Sequence, residues 1–258
     1  MNLELAGKTA LVTGSTAGIG LAIATRLASE GAAVIVNGRS EERVSKAIIA
    51  SGAVHGLVAD LASEEGLRQC IERFPKVDIL VNNLGIFEAK PFADISDADW
   101  HRFFETNVLS GVRLCRHYLG PMLEQNWGRI VFISSESGLQ IPTEMIHYGM
   151  SKTAQLAVSR GLAETTAGTA VTVNAVLPGP TKSEGVTAFV EQMAKEGGQG
   201  RDAFEKEFFQ TVRPTSILQR FITPDEIAAV VTFVCSPLAA AINGTSLRAD
   251  GGVVRSIA

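Results

Sequence analysis

The sequence predicts an α/β protein with a doubly wound parallel sheet and helices on both of its faces. Two observations predict this fold class. Short, nearly continuous apolar runs rich in Val and Ile alternate with longer amphipathic stretches, and a glycine-rich turn follows the first run. Apolar runs without polar alternation are typical of parallel strands that are buried on both faces.

The strands follow one another at regular intervals, and a stretch with helical periodicity separates each from the next. In chain order they are predicted over residues 8–13, 32–37, 53–59, 77–82, 128–134, 170–176 and 246–249. Helices are expected from the glycine turn up to Glu30 and over residues 40–51. A late helix is expected after Thr223, because a threonine N-cap followed by Pro224 and an acidic first turn is typical of a helix start.

No internal repeat or low-complexity linker interrupts the alternation, so residues 1–258 are predicted to form a single domain. Residues 182–213 depart from the pattern, because glycines including Gly197 and Gly200 separate two charged helical stretches there. This segment follows a strand end, where open α/β sheets bind their ligands. We expect a helical substrate lid with glycine hinges. The alternative is a surface helical hairpin that buries its phenylalanines.

Composition and charge argue against several classes of function. The chain is 46% apolar with a formal net charge of −4, so it offers no basic footprint for nucleic acid or for an anionic membrane. No apolar run approaches the roughly 18 residues of a membrane-spanning helix. Cys70, Cys115 and Cys235 fit no metal-ligand spacing and are expected to be buried thiols in a reducing compartment. The prediction is a cytoplasmic protein that acts on a small molecule.

The glycine turn after the first strand indicates a dinucleotide site. It reads Thr13-Gly-Ser-Thr-Ala-Gly-Ile-Gly20, with the spacing G-x-x-x-G-x-G instead of the standard G-x-G-x-x-G. The physical demand is the same, since glycine lets the backbone approach a pyrophosphate whose charge the following helix N-terminus receives. The alternative is a strand-to-helix turn that needs glycine for its geometry alone.

The end of the second strand favours NADP over NAD. A carboxylate for the ribose 2′-hydroxyl is expected about 20 residues after the glycines in an NAD-binding protein. Here the strand ends in Asn37, Gly38 and Arg39, without an acid. A guanidinium can hold a 2′-phosphate through forked, charge-assisted hydrogen bonds. The alternative is that Arg39 lies in a solvated loop.

Tyr148 and Lys152 are four residues apart, which places both side chains on one face if the stretch is helical. A phenol with a pKa of about 10 is a poor base at neutral pH. A lysine cation beside it, together with a positive nicotinamide, is expected to lower the pKa of the phenol and to make it a general acid or base. The alternative is a coincidence between a helix-surface tyrosine and a solvated lysine.

Taken together, these residues resemble the short-chain dehydrogenase/reductase family over nearly the whole chain, which implies a Rossmann-type fold. The ordered matches are the TGxxxGxG turn at residues 13–20, Asp60 with Leu61, the segment Asn82-Asn83-Leu84-Gly85, the catalytic set Asn107, Ser135, Tyr148 and Lys152, Pro178-Gly179 with Thr181, and Asp250-Gly251-Gly252. Two departures stand out. Leu84 replaces a small residue, so we expect either a displaced backbone or a smaller neighbouring residue there. Ser134 and Ser135 are adjacent candidates, and the family's spacing of 13 positions before the tyrosine selects Ser135.

The resemblance implies a role for each matched residue. Tyr148 transfers the proton, Lys152 tunes it and binds the ribose hydroxyls, Ser135 binds the substrate oxygen, and Asn107 holds a water that completes a proton relay. The residues expected to bind the cofactor are Gly14, Ser15, Thr16, Gly18, Ile19, Gly20, Arg39, Asp60, Leu61, Asn83, Gly85, Tyr148, Lys152, Pro178, Gly179 and Thr181.

Substrate choice is expected to depend on residues near the tyrosine and on the phenylalanines of the lid segment. They are Glu136, Gln140, Ile141, Glu144, Met145, His147, Phe189, Phe204, Phe208 and Phe209. His147 with Glu136 and Glu144 suggests a metal cluster, but polar residues at a pocket mouth or facing solvent are the preferred interpretation, and no metal site is predicted.

The leading hypothesis is an NADP-dependent carbonyl reductase that interconverts a ketone and a secondary alcohol. The first alternative is a 3-oxoacyl-[acyl-carrier-protein] reductase, for which Arg102, Arg113, Arg116 and Arg129 would offer a basic patch to the acidic carrier. The second is a nucleotide-sensing binding protein that has lost catalysis. Surplus apolar residues on the helices around 97–120 and 150–167 suggest a homotetramer or a homodimer.

Overall fold

The computed structural model describes residues 2–183 and 201–257, the side chains of residues 201–204 excepted. Seven strands form one parallel sheet in the order β3-β2-β1-β4-β5-β6-β7. They are β1 Thr9–Val12, β2 Ala33–Gly38, β3 His55–Val58, β4 Ile79–Asn82, β5 Gly128–Ile133, β6 Val171–Pro178 and β7 Ser246–Ala249. The predicted strands and the doubly wound parallel arrangement are confirmed.

Helices lie between the strands and cover both faces of the sheet. They are α1 Gly18–Ser29, α2 Glu41–Ser51, α3 Glu64–Arg73, α4 Asp97–Phe104, α5 Ser110–Glu124, α6 Ile146–Glu164, α7 Arg201–Thr211 and α8 Pro224–Val234. In the part of the chain that the structure describes, no helix is both long and apolar enough to cross a bilayer.

Each face of the sheet carries its own hydrophobic core. On one face Ile23 and Leu27 of α1 pack with Val231 of α8 against the central strands. On the other face Leu114, Tyr118 and other apolar side chains of α5 pack against β4, β5 and β6. The strands are buried on both sides, which explains their almost unbroken Val, Ile and Leu runs. The three cysteines are free and buried, as expected.

Side-chain caps mark the start of four of the helices. The hydroxyls of Ser40, Ser63 and Ser96 accept hydrogen bonds from backbone N–H groups in the first turns of α2, α3 and α4. Thr223 forms a capping box with Glu226 at the start of α8, as the sequence predicts. The helix α1, like α5 and α6, has no side-chain cap and no acid in its first turn; its N-cap residue is Ala17.

Helices α4 and α5 are joined by one π-helical turn over Glu105–Leu109. A π-helical turn contains one residue more than an α-helical turn. A backbone carbonyl in it therefore does not bond to the N–H group four residues later, as it would in an α-helix. Asn107 lies in the middle of this turn and is buried. The local irregularity therefore positions one of the four predicted catalytic residues.

Of the predicted lid at 182–213, residues 184–200, which include Phe189, Met193, Gly197 and Gly200, lie outside the described residues. The described remainder contains α7. Phe209 is buried there against Phe221, and Phe208 packs beside both rings. Phe208 also lines the crevice described below, so the two described phenylalanines differ in their surroundings.

Candidate active site

A crevice of ≈ 2090 Å³ opens where the carboxyl ends of the strands meet. The predicted residues that line it are Gly14, Thr16, Gly18, Ile19, Gly20, Arg39, Asp60, Leu61, Asn83, Gly85, Ser135, Tyr148, Lys152, Pro178, Gly179 and Thr181. Residues from six different strand ends therefore converge on one site, as expected for an open α/β sheet. Two predicted residues, Ser15 and Asn107, do not line the crevice.

The glycine turn has the geometry of an anion cradle. Gly14 and Gly18 have φ values of +60° and +54°, a region that favours glycine. A Cβ at Gly20 would lie 2.6 Å from the carbonyl oxygen of Gly14 and 2.9 Å from Cα of Ser15, so the turn closes only around a glycine. The first N–H groups of α1 have no side-chain cap and face this crevice. Uncapped N–H groups at a helix start fit a pyrophosphate.

Ser15 was predicted to bind the cofactor, but its polar groups are used inside the protein. Its hydroxyl donates to the carbonyl of Val12 at 2.7 Å and accepts from the N–H of Asn37 at 2.9 Å. Its own N–H donates to the carbonyl of Asn37 at 2.9 Å. Ser15 is fully buried and joins β1 to β2, so its side chain does not face the crevice.

The end of β2 contains no acid, and the side chain of Asn37 there is also turned inward. The side chain of Asn37 accepts from the N–H of Gly14 at 3.1 Å and donates to the carbonyls of Leu57 and Ala59 at 3.2 and 3.1 Å. Beyond it, Arg39 and Arg43 line the crevice. Two guanidinium groups therefore border the part of the crevice that follows β2.

The segment after β4 braces the glycine turn. The hydroxyl of Thr13 accepts from the N–H groups of Asn83 and Leu84, both at 2.9 Å. The side-chain amide of Asn83 donates to the carbonyls of Thr13 and Gly14. Leu84, which stands where the family has a small residue, lies close to Gly14: a Cβ at Gly14 would be 3.2 Å from Cα and 3.5 Å from Cδ1 of Leu84.

Tyr148 and Lys152 share a face of α6, as their spacing predicts. The Nζ atom of Lys152 lies 5.6 Å from the centroid of the Tyr148 ring. Lys152 is only 4% exposed, and its Nζ donates to the carbonyl of Ile133 at 2.9 Å. The end of β5 therefore holds the ammonium group beside the phenol. The hydroxyl of Ser134 donates to the carbonyl of Lys152 at 2.9 Å, so Ser135 is the serine with its hydroxyl toward the site.

Asn107 does not line the crevice, but its side chain hydrogen-bonds to residues next to the site. Its side chain accepts from the N–H of Ile86 at 2.8 Å and donates to the carbonyl of Ile86 and to the hydroxyl of Ser151. A Cβ at Gly85 would lie 3.5 Å from both Oδ1 of Asn107 and Nζ of Lys152. Gly85 therefore lies close to both the Asn107 side chain and the Lys152 side chain.

Gln155 joins Lys152 to Asn107 and was missed from the sequence. Its Oε1 accepts from Nζ of Lys152 at 3.3 Å, and its Nε2 donates to the backbone carbonyl of Asn107 at 2.5 Å. An ammonium only donates and a carbonyl only accepts, which fixes the orientation of the amide between them. The backbone carbonyl of Asn107 therefore accepts a hydrogen bond from the side-chain amide of Gln155. The position of Gln155, three residues after Lys152 on α6, was the available signal.

Ser135 is held by an acidic neighbour. Its hydroxyl donates to Oε2 of Glu136 at 2.5 Å and accepts from the N–H of Ser137 at 3.1 Å. Glu136 is 5% exposed, and its other oxygen accepts from Nε of Arg213 at 3.3 Å. Arg213 also donates to Glu144 at 3.3 Å. Arg213 was missed as a site residue, and nothing in the sequence points to a pair that is 77 residues apart.

In the cofactor-free protein, burial acts on the pKa values of both Tyr148 and Lys152. Burial raises the pKa of Tyr148 well above its ordinary value, the charge of Glu136 raises it further, and a hydrogen bond between Tyr148 and Ser135 opposes them. Burial also lowers the pKa of Lys152 to about 7, while Glu136 acts in the opposite direction. The lysine alone therefore does not produce a phenolate, because desolvation acts on both groups against their charged forms.

His147 lies in the core and does not face solvent or line the pocket mouth. It is fully buried, with its ring 4.0 Å from that of Phe103 and 6.1 Å from that of Trp100. Burial lowers its pKa. The two acids that the sequence places with it, Glu136 and Glu144, both bind Arg213 instead and line the crevice.

The other residues expected to select the substrate divide into two groups. Met145 and Phe208 line the crevice. Gln140 and Ile141 are not among its described lining residues, and Ile141 packs against Gly149. The side chain of Phe204 lies outside the described residues.

The proposed basic patch for an acidic carrier is mostly taken up by internal contacts. Arg102 binds Glu88 and Asp99, and Arg113 binds Glu105. Arg129 is buried and donates to the carbonyls of Gly128 and Ala170, both at 2.8 Å. Arg116 is exposed. These four residues therefore do not form a continuous free basic surface.

The whole chain is similar to known oxidoreductases in sequence and in fold. Residues 8–194 match the family model described as short chain dehydrogenase. The chain is 52% identical to an uncharacterized oxidoreductase, YvaG, of Bacillus subtilis, with all of both chains covered. It is 36% identical to the 3-oxoacyl-[acyl-carrier-protein] reductase of Aquifex aeolicus, over 98% of this chain and 100% of that one. L-sorbose reductase from Gluconobacter frateurii, solved with NADPH and L-sorbose, superposes with a TM-score of 0.93 at 27% identity over both whole chains.

Proposed function

The chain belongs to the short chain dehydrogenase family and is an oxidoreductase that acts on carbonyl or alcohol groups, and we propose that it transfers a hydride between NADP and a ketone or secondary alcohol. The observation that carries the proposal is the position of Tyr148 and Lys152. They lie beside Ser135 in the crevice that begins at the glycine turn.

The bound nicotinamide supplies the hydride, and the protein's own residues supply binding, orientation and the proton. The uncapped start of α1 and the glycine turn would receive the pyrophosphate. In reduction, Ser135 donates a hydrogen bond to the carbonyl oxygen, and Tyr148 gives its proton to that oxygen as the hydride reaches the carbon. Lys152, held by Ile133 and Gln155, would donate to the ribose hydroxyls of the cofactor.

The choice of NADP rests on the surroundings of β2. Asn37 is committed to internal hydrogen bonds, and Arg39 and Arg43 line the crevice beyond it. Guanidinium groups suit the dianionic 2′-phosphate. The structural neighbour L-sorbose reductase was solved with NADPH. Replacing Arg39 by Ala is expected to weaken NADPH binding by about 10-fold or more, the weight of one charge-assisted hydrogen bond, and to leave NADH binding nearly unchanged in fluorescence titrations.

The main test is NADPH oxidation with a panel of ketones. Tyr148→Phe is expected to lower kcat by about 10²- to 10⁴-fold, the typical weight of a general acid, and to keep the affinity for NADPH. Tyr118 is the matched control, because it is the only other tyrosine and its hydroxyl donates to the carbonyl of Phe74 in the core. Tyr118→Phe should keep its turnover. Full activity in Tyr148→Phe would remove the basis of the proposal.

The second candidate is reduction of a 3-oxoacyl thioester on an acyl carrier protein. The relative from Aquifex aeolicus favours it. The four arginines do not, since three of them are engaged within the protein. A carrier-bound substrate that is reduced with at least a 100-fold higher kcat/KM than small ketones would select this candidate. Cofactor binding without turnover on any substrate would instead favour a non-catalytic nucleotide sensor.

Assembly and location follow as further proposals. We propose a homotetramer or homodimer in the cytoplasm, with faces of α5 and α6 between subunits. Light scattering coupled to size-exclusion chromatography measures the assembly directly, and a monomer at micromolar concentration would contradict it.

A further inference from the structure

We propose that the pocket selects an uncharged ketone with a hydroxyl group on the carbon next to the carbonyl, and that Glu136 is the residue that recognises this hydroxyl. The inference rests on the proposed function and names its substrate class. It comes from the contact between Glu136 and the serine that would bind the carbonyl oxygen.

The carboxylate of Glu136 accepts the only proton that the Ser135 hydroxyl can donate. When Ser135 donates to a substrate carbonyl instead, Oε2 of Glu136 loses this donor. A buried carboxylate without its donor is costly, and Glu136 is 5% exposed. When a ketone without other polar groups binds, the hydrogen bond from Ser135 to Glu136 is lost and nothing replaces it at Glu136.

A substrate hydroxyl next to the carbonyl removes that cost. The carbonyl oxygen lies at Ser135, and Glu136 follows Ser135 directly in the chain and contacts its hydroxyl at 2.5 Å. A hydroxyl on the neighbouring carbon can then donate to Oε2 in place of the serine. Ser135 and Glu136 exchange one internal hydrogen bond for two bonds to the substrate. Sites built to pair a substrate hydroxyl discriminate strongly against the analogue that lacks it.

The charges around the pocket disfavour an anionic substrate. Among the described lining residues that follow β4 and β5 or belong to α6, α7 and its C-terminal flank, the charged ones are Glu88, Glu136, Glu144, Glu207, Lys152 and Arg213. Arg213 already binds two of the carboxylates. A substrate carboxylate would therefore meet an excess of negative charge and a guanidinium that is engaged elsewhere.

Three ketones of nearly equal size test the inference with NADPH as the reductant: hydroxyacetone, 2-butanone and pyruvate. The first carries the hydroxyl, the second has a methyl group in its place, and the third has a carboxylate. We expect kcat/KM for hydroxyacetone to exceed that for 2-butanone by about 10- to 100-fold, the range for a hydrogen bond to a charged group. Pyruvate should be the poorest substrate.

Variants assign the preference to Glu136. Glu136→Leu should bring the ratio of hydroxyacetone to 2-butanone below about 3, because it removes the acceptor. Glu136→Gln, which keeps the shape, should lower that ratio and raise activity on pyruvate. Glu144→Gln is the matched control, since Glu144 binds the same Arg213 without touching Ser135. It should keep the ratio of hydroxyacetone to 2-butanone, and thermal unfolding checks that each variant is folded.

The outcomes separate this inference from the proposed function. Equal efficiency on hydroxyacetone and 2-butanone, a preference for pyruvate, or an unchanged ratio in both Glu136 variants would overturn the inference while leaving a working carbonyl reductase. A protein that binds NADPH and reduces none of the three, nor any larger ketone, would contradict the proposed function itself.

Discussion

Replacing Gln155 by Leu is the sharpest test of how the catalytic lysine is held. Leucine has nearly the size of glutamine and suits a buried helix position, so the change removes two hydrogen bonds and little volume. The Asn107 carbonyl loses its donor, and Nζ of Lys152 keeps only Ile133 among the partners described here.

The cost follows from the two groups left behind. Each buried polar group that loses its partner costs about 1 to 3 kcal/mol. A buried leucine returns about 2 kcal/mol of transfer free energy. The free energy of unfolding should therefore fall by about 2 kcal/mol, which lowers Tm by about 4 to 8 °C for a chain of this size. A less firmly held Lys152 should also lower kcat by about 10-fold, the effect of a small misplacement.

The assay pairs thermal unfolding with steady-state kinetics. Gln69→Leu is the control, because Gln69 lies on the exposed side of α3 and donates to Glu65 at 2.8 Å. A surface change of this kind should stay within about 0.5 kcal/mol. If Gln155→Leu matched the wild type in both Tm and kcat, the amide would not be the link between Lys152 and Asn107.

Three more outcomes follow from the same site. The pKa of Lys152 is about 7 in the cofactor-free protein, so between about pH 7 and 10 the unfolded chain binds more protons than the folded one and stability rises with pH. From about pH 7 to 9, urea unfolding should show wild type gaining about 2 kcal/mol over Lys152→Met, and parallel curves would contradict the burial argument. Gly20→Ala should abolish NADPH binding in titrations, because its Cβ would collide with Gly14, whereas Gly120→Ala, with open space around it, should bind normally. Because burial and Glu136 raise the pKa of Tyr148, alcohol oxidation should accelerate up to about 10-fold per pH unit from about pH 7 to 9, and a flat profile would show that the phenol is already ionised.

The sequence predicted the strands and the crevice for a common physical reason. Strands buried on both faces need unbroken apolar runs, and the carboxyl ends of parallel strands meet at one edge. Turn residues such as Gly14 and helix residues such as Tyr148 could therefore be assigned to one site from the sequence alone. Their local spacing carried the information.

The sequence does not indicate which of two possible partners a polar side chain contacts. Ser15 lies in the glycine turn, yet its hydroxyl points to Val12 and Asn37 because β2 offers a buried N–H there. The contact of Arg213 with Glu136 spans 77 positions, so no local pattern indicates it. Only the packing of β2 and of the region after α7 decides between the possible partners.

The lysine position does not depend on the tyrosine. Backbone and amide acceptors, Ile133 and Gln155, hold Nζ of Lys152, and the phenol is a neighbour at 5.6 Å. The hydroxyl of Ser151 ties the Asn107 amide to the carbonyl of Tyr148, a contact that uses no phenol atom. Removal of the phenolic oxygen therefore leaves every described partner of Lys152 in place. This is the physical reason why loss of the proton donor should separate catalysis from cofactor binding.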